Sequence, residues 1–208
     1  MTPYLIYDIE TYKSDDAEAF FQYKPVVADA RLKDPAKIEA NIEKKRESCL
    51  DKAALSPLTG RITCMGVSYN GTYHFFLNKD EAELLTEIDM FISGKEISHF
   101  VGKNNLDFDL PYLRLRHMIN NVPMPAWLHP MCRHLDIKSY FGKGMGNYGP
   151  SMADLEFVLG IKREGEKDAK QVFQWWRDGD YESLNTYNHQ DVRTTEVIYL
   201  AMEGGIRH

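Results

Sequence analysis

The chain has 208 residues and a mass of 24.1 kDa, with 43% apolar and 27% charged residues, proportions that exclude disordered and fibrous classes. Lys and Arg number 25 against 31 Asp and Glu, giving a net charge of −6 and a pI near 5.7. That balance argues against a protein that coats nucleic acid through a general basic surface. It leaves room for an enzyme that holds nucleic acid locally and recruits cations to offset its own acids. No stretch approaches the roughly 18 uninterrupted apolar residues of a membrane span, and Met1–Asp8 lacks a basic segment ahead of a long apolar core. The cysteines Cys49, Cys64 and Cys132 are odd in number and have no close pairing, which suits a reducing compartment. A cytoplasmic protein without membrane attachment is the expectation.

In chain order, Tyr4–Ile9 is a β-branched and aromatic run that predicts a strand. Residues 15–58 differ in texture: Asp34-Pro35 opens a strongly charged helix through about Lys52, with sparse apolar positions at Ile38, Ile42 and Leu50. Pro57 to Gly60 ends it. Arg61–Tyr69 and Thr72–Leu77 read as two strands joined by the hairpin signal Asn70-Gly71. Leu84, Leu85, Ile88 and Phe91 lie at helical spacing within 80–91. A strand is expected over Glu96–Val101, a helix from Asp109 or Leu110 to about Met118, and a strand over His134–Ile137. Ser151 caps a helix through Leu159 that Gly160 stops, and a long helix runs from Tyr181 to Met202. Antiparallel strands followed by strand–helix alternation predict one α/β domain over residues 1–208: a mixed sheet flanked by helices, with 15–58 a helical insertion after the first strand.

Three groups of residues carry chemistry. Asp8 and Glu10 lie two apart on the first strand and share a face, where two buried acids are costly unless a cation compensates. Tyr187 and Asp191 lie four apart on the last helix and also share a face; a Tyr hydroxyl beside a metal-bound carboxylate can hold a water. Between them, Gly102-Lys103-Asn104-Asn105 ends a strand and Phe108-Asp109 precedes Leu110-Pro111-Tyr112. Each is weak alone. An exposed strand end, a core tyrosine and a plain helix N-cap at Asp109 are the ordinary readings, although the N-cap leaves Phe108, an aromatic suited to stacking on a base, unexplained.

Taken together and in order, these groups resemble the three motifs of the DEDD superfamily of 3′–5′ exonucleases on a ribonuclease-H-like fold. The motifs are Asp8-Ile9-Glu10-Thr11, Asn104-x-x-x-Phe108-Asp109 and Tyr187-x-x-x-Asp191. The second is similar to the form in the exonuclease domain of family B DNA polymerases, and the third marks the tyrosine subtype. The histidine subtype would need His where Thr186 stands; His189 is out of register and reads as an exposed helix residue. The resemblance implies two divalent ions, Mg²⁺ or Mn²⁺, roughly 4 Å apart. It assigns Asp8, Glu10 and Asp191 to the ion that carries the attacking water, with Asp8 bridging to a second ion supported by Asp109. Tyr187 would position the water, and Thr11, Asn104 and Phe108 would hold the terminal nucleotide. Implied substrates are single-stranded ends, with DNA favoured over RNA, although contacts to a 2′ hydroxyl, which decide that preference, leave no mark in sequence. A separate polymerase or replication protein is the implied partner, because a 208-residue chain has no room for a polymerase domain. A non-catalytic binding or scaffold subunit is the competing reading, and the intact acid set speaks against it.

Other signals are set aside. Gly144-Met145-Gly146-Asn147-Tyr148-Gly149 matches a dinucleotide-binding pattern, but Pro150 and Ser151 delay the helix that should follow, so it reads as a loop with Lys143 available to a nucleic-acid backbone. His129, Cys132 and His134 lack a fourth zinc ligand. Trp175-Trp176 reads as core packing ahead of the last helix, Lys44-Lys45-Arg46 as a solvated run, and Asp136 as an acid near the sheet that no spacing makes a ligand.

Overall fold

Tyr4–Lys13 form β1, the central strand of this computed structural model, which describes residues 2–142, 150–163 and 170–204. Its side chains alternate between two cores. Leu5, Tyr7 and Ile9 enter one with Leu84, Leu85, Ile88 and Leu113, whereas Tyr4 and Ile6 enter another with Val192, Ile198 and Tyr199. That period of two puts Asp8 and Glu10 on the second face.

β2 (Gly60–Tyr69) pairs antiparallel with β1, and β3 (Thr72–Leu77) antiparallel with β2. Asn70 and Gly71 take φ of 48° and 87°, the left-handed pair that a tight hairpin needs. β4 (His99–Gly102) and β5 (His134–Asp136) add in parallel on the other side, giving the order β3-β2-β1-β4-β5. Pairing of β1 with β2 steps from Glu10–Cys64 to Thr11–Ile62, a bulge at Thr63, whose hydroxyl donates to the Glu10 carbonyl at 3.0 Å.

The helices are α1 (Ala17–Tyr23), α2 (Pro35–Asp51), α3 (Glu81–Ser93), α4 (Asp109–Ile119), α5 (Ile137–Gly142), α6 (Met152–Val158), α7 (Lys170–Asp178) and α8 (Tyr181–Met202). α3 and α4 cover the Leu5–Tyr7–Ile9 face and α8 the other, so the α/β sheet flanked by helices is as expected from sequence. The caps are as read: Asp34 accepts from the Ala36 and Lys37 N–H groups, and Ser151 forms a reciprocal capping box with Asp154. Residues 15–58 leave and re-enter the sheet at one point, where Ser14 N–H bonds the Thr59 carbonyl at 2.9 Å. α2 buries none of its residues, in keeping with its charge, and Lys44 and Arg46 are solvent-exposed.

Five boundaries or elements depart from the sequence reading. β1 runs on to Lys13 rather than ending at Ile9, because β2 pairs beside it as far as Gly60. β4 begins at His99 rather than Glu96, because its partner begins at Tyr4, which pairs with His99; residues 96–98 have no strand beside them to extend. Ile137 opens α5 instead of ending β5, because the Asp136 carboxylate accepts from the Lys138 and Ser139 N–H groups and turns the chain into a helix. Trp175 and Trp176 lie within a helix, α7, that was not expected; Val172, Trp175 and Trp176 at helical spacing face the Cys64–Leu184 cluster, and Gly179 at φ 73° follows the helix end. α1, an unexpected helix within 15–58, has no side-chain cap and buries only Ala17. The Gly144–Gly149 loop and Lys143 lie outside the described residues.

Candidate active site

Even-numbered positions of β1 bring Asp8 and Glu10 beneath α8, whose Tyr187, Asn188 and Asp191 form one stripe at i, i+1 and i+4 facing the strand. Oxygens from Asp8, Glu10 and Asp191 all lie within 4.8 Å of one another. Glu10 is buried, and Asp8 and Asp191 are half-buried. Three hard oxygen donors so close suit a divalent cation such as Mg²⁺, Mn²⁺ or Ca²⁺. Without a cation they oppose one another. Burial, and then the Glu10, Asp109 and Asp191 charges, push Asp8 well above the usual carboxylate range, with Lys103 offsetting a part. Burial and Asp191 raise Glu10 to about 8 against a hydrogen bond from Asn188 that lowers it. Lys103 and, at Asp191, Arg163 offset this negative charge only in part; a divalent ion would relieve the rest, so the residues present fit one.

Asp109 is the first residue of α4 and does not cap it; residue 108 stands at the cap with no side-chain bond. The parallel pairing of β1 with β4 stops at Ile6–Val101, and the Ile9 N–H beyond it donates to Asp109 Oδ1 at 3.1 Å. A buried donor at the end of a ladder needs such a partner. Burial raises Asp109 to about 7, the Ile9 hydrogen bond working against that. Asp109 stands outside the 4.8 Å group but close enough for its charge to act on Asp8.

The loop between β4 and α4 is held by a residue set aside in the sequence. Asp136, buried at the end of β5, accepts from Asn104 N–H at 2.9 Å and Leu106 N–H at 3.3 Å as well as from the start of α5. Asn104 takes φ 61°, and its Oδ1 accepts from Lys138 Nζ at 2.7 Å. Behind the loop, Asn105 donates to the Tyr7 hydroxyl at 3.2 Å. The Tyr7 hydroxyl then donates to His134 Nδ1 at 3.3 Å, because His134 Nε2 carries the hydrogen given to the Trp127 carbonyl. His134, weighed as a zinc ligand, is thus spent on that chain. A cleft of about 770 Å³ opens beside the loop, with Lys103, Leu106, Lys138, Ser139, Ser151 and Met152 among its walls.

Phe108 packs at the edge of the core with Tyr112, ring centroids 5.4 Å apart. The Tyr112 hydroxyl donates to the Ala54 carbonyl at 3.0 Å, and Thr11 is half-buried nearby on β1. His189 is exposed, as expected, and lies against the Tyr73 ring at 4.2 Å.

Two further residues were not singled out in the sequence. Arg163 Nη1 lies 2.5 Å from Asp191 Oδ1 and 3.5 Å from Glu156 Oε1, and its guanidinium stands 5.6 Å from the Tyr187 ring centre. Asn188, fully buried, donates to Asp8 Oδ2 at 3.1 Å and Glu10 Oε1 at 3.3 Å. Its place next to Tyr187, on the buried face of the helix, is the only signal sequence offered. Tyr187 packs on Trp175 at 5.7 Å, and burial followed by the charges of Asp191, Glu10 and Asp8 keeps its hydroxyl protonated far above neutral pH.

A mixed sheet in this order, with acids on its central strand and on the last helix, defines an α/β domain that resembles the ribonuclease-H-like fold. Residues 76–205 match the family described as predicted 3′-5′ exonuclease related to the exonuclease domain of PolB, and the chain belongs to that family. The matched span holds Asn104, Phe108, Asp109, Tyr187 and Asp191 and begins after Asp8 and Glu10. The fold is similar to that in the structure of the family B DNA polymerase from the hyperthermophilic archaeon Pyrobaculum calidifontis, with a TM-score of 0.66 and 16% identity over 98% of this chain. The chain spans 25% of that polymerase. No curated protein matches the sequence.

Proposed function

We propose that the protein is a metal-dependent 3′–5′ exonuclease that removes nucleoside monophosphates from single-stranded ends, DNA in preference to RNA. The observation that carries this is the convergence of Asp8, Glu10 and Asp191 within 4.8 Å, beside Asp109, in a member of this family. Asp8, Glu10 and Asp191 would hold one divalent ion, and Asp8 with Asp109 a second. When bound, Mg²⁺ or Mn²⁺ supplies positive charge for the phosphoryl oxygens and acidity for the attacking water. Water oxygen bonds to phosphorus as the bond from phosphorus to the 3′ oxygen breaks, and a proton passes to that oxygen.

The chain's own groups position these partners. Tyr187 would orient the attacking water by hydrogen bonding. Asn104, fixed by Asp136 and Lys138, holds the terminal nucleotide together with Phe108 and Thr11. The lysines of the adjoining cleft, Lys103 and Lys138, suit the phosphates of the strand that follows. Residues 1–208 act as one domain that includes 15–58, and likeness to part of a family B DNA polymerase supports association with a polymerase. No described helix is long and apolar enough to cross a membrane.

Asp8→Ala and Asp191→Ala proteins, incubated with a single-stranded oligonucleotide and Mn²⁺, should release no mononucleotide while keeping the circular dichroism spectrum of the native protein. Undiminished release by both would end the proposal.

A further inference from the structure

Asn188 does more than fill space between α8 and the sheet. Its amide nitrogen reaches three acceptors: Asp8 Oδ2 at 3.1 Å, the Asp8 carbonyl at 3.3 Å and Glu10 Oε1 at 3.3 Å. Ionised carboxylates only accept hydrogen bonds, so the amide must present nitrogen to them and oxygen away. Its oxygen meets the Tyr73 hydroxyl of β3 at 3.3 Å, a donor that Tyr73 shares with Asn185. Both ends of the amide therefore fix one orientation.

Room for that amide is cut into the sheet. Gly66 on β2 pairs directly with Asp8 on β1. A Cβ at Gly66 would stand 1.8 Å from Asn188 Oδ1, 2.9 Å from Asn188 Cγ and 3.0 Å from Val192 Cγ2. Glycine inside a strand weakens it and marks a close approach by another group. Here the group is an amide, where an apolar side chain would have packed on the sheet without needing partners. The acceptors it finds are two of the three carboxylates that converge.

We infer that Asn188, seated in the Gly66 notch and oriented by Tyr73, is a positioning residue that holds Asp8 and Glu10 in the arrangement a divalent cation needs. The inference rests on the exonuclease reading. Hydrogen bonds to ligating carboxylates fix their orientation, and loss of such partners typically weakens metal binding by about 10–100-fold.

The test is calorimetric titration of Mn²⁺ into the full chain, with thermal unfolding in EDTA as an independent check of the fold. Asn188→Leu removes the donor at similar volume, and Asn188→Ala removes it without crowding should the leucine fail to fold. Each should weaken Mn²⁺ binding about 10–100-fold while unfolding in EDTA remains cooperative. Gly66→Ala should act in the same direction with Asn188 itself unchanged, and Tyr73→Phe less, since one shared bond is lost. A folded Asn188 variant that binds Mn²⁺ within about threefold of the native protein would overturn the inference alone. A native protein that takes up no Mn²⁺ would instead overturn the exonuclease reading beneath it.

Discussion

Crowding of acids on β1 and α8 makes the metal-free protein less stable as pH rises, and Glu10 provides the measure. Its carboxyl sits at about 8 in the folded protein against 4.5 unfolded, with burial the first cause and Asp191 the second. Between those values the folded state binds the proton that the unfolded state has lost, so stability falls with rising pH through this window. From pH 5 to 7 the loss from Glu10 alone is about 3 kcal/mol, at about 1.4 kcal/mol per pH unit. For a chain of this size that equals a fall in Tm of about 6–12 °C. Asp8 and Asp109, also raised, add to the fall. His99 and His134, both lowered by burial, act oppositely, gaining stability as pH rises through their range. Glu10→Gln removes this titration together with the part of the Asp8 shift that the Glu10 charge causes, both of which fall away in the same direction. Thermal unfolding in EDTA at steps from pH 5 to 7 should show the native Tm falling by about 6–12 °C relative to the variant. Saturating Mn²⁺ should reverse that slope for the native protein, because metal binds the ionised form. A difference between native and variant that is flat, or that rises with pH, would show that Glu10 does not carry a raised pKa in the folded protein.

Other outcomes follow from neighbouring contacts. Asp136→Ala leaves the Asn104, Leu106, Lys138 and Ser139 N–H groups without their acceptor, and should cost about 2–4 kcal/mol in urea unfolding while raising KM for an oligonucleotide. Tyr187→Phe should slow single-turnover cleavage about 100-fold at unchanged Mn²⁺ affinity, since only a water-orienting hydroxyl is lost. Arg163→Met removes the cation beside Asp191 and should tighten Mn²⁺ binding about tenfold by calorimetry. Gly60→Ala should destabilise by about 1–3 kcal/mol, because its Cβ would stand 2.2 Å from the Tyr112 hydroxyl and 2.8 Å from the Ala54 carbonyl.

What sequence made legible were features whose cause is local. Asn70-Gly71, the Asp34-Pro35 cap and the Ser151 cap each act within a few residues, and each formed as read. The two-residue spacing of Asp8 and Glu10 needed only strand geometry to place both on one face, and the four-residue spacing of Tyr187 and Asp191 only helix geometry. Features set by distant partners were hidden. β4 starts where β1 begins, ninety-five residues earlier by the pairing of Tyr4 with His99, and Ile137 turns helical because of what the Asp136 side chain accepts. Asn188 meets acceptors 178 and 180 positions away, and Gly66 matters only because Asn188 enters beside it. Asp136 and Arg163 likewise act on loops and helices that no spacing rule connects to them. α7 is the exception: Val172, Trp175 and Trp176 at helical spacing, followed by Gly179, form a local helix pattern.

Stepwise hydrolysis from a 3′ end by the Asp8–Glu10–Asp191 group can be followed on 5′-labelled single-stranded DNA and RNA of equal sequence. Each is incubated with the native protein in Mn²⁺, Mg²⁺ or EDTA, beside the Asp8→Ala protein. Native protein should give a ladder of products shortened one nucleotide at a time, faster on DNA, and lost in EDTA and with Asp8→Ala. Full-length substrate from folded, Mn²⁺-loaded native protein, or a ladder that persists with Asp8→Ala, would contradict hydrolysis by this group.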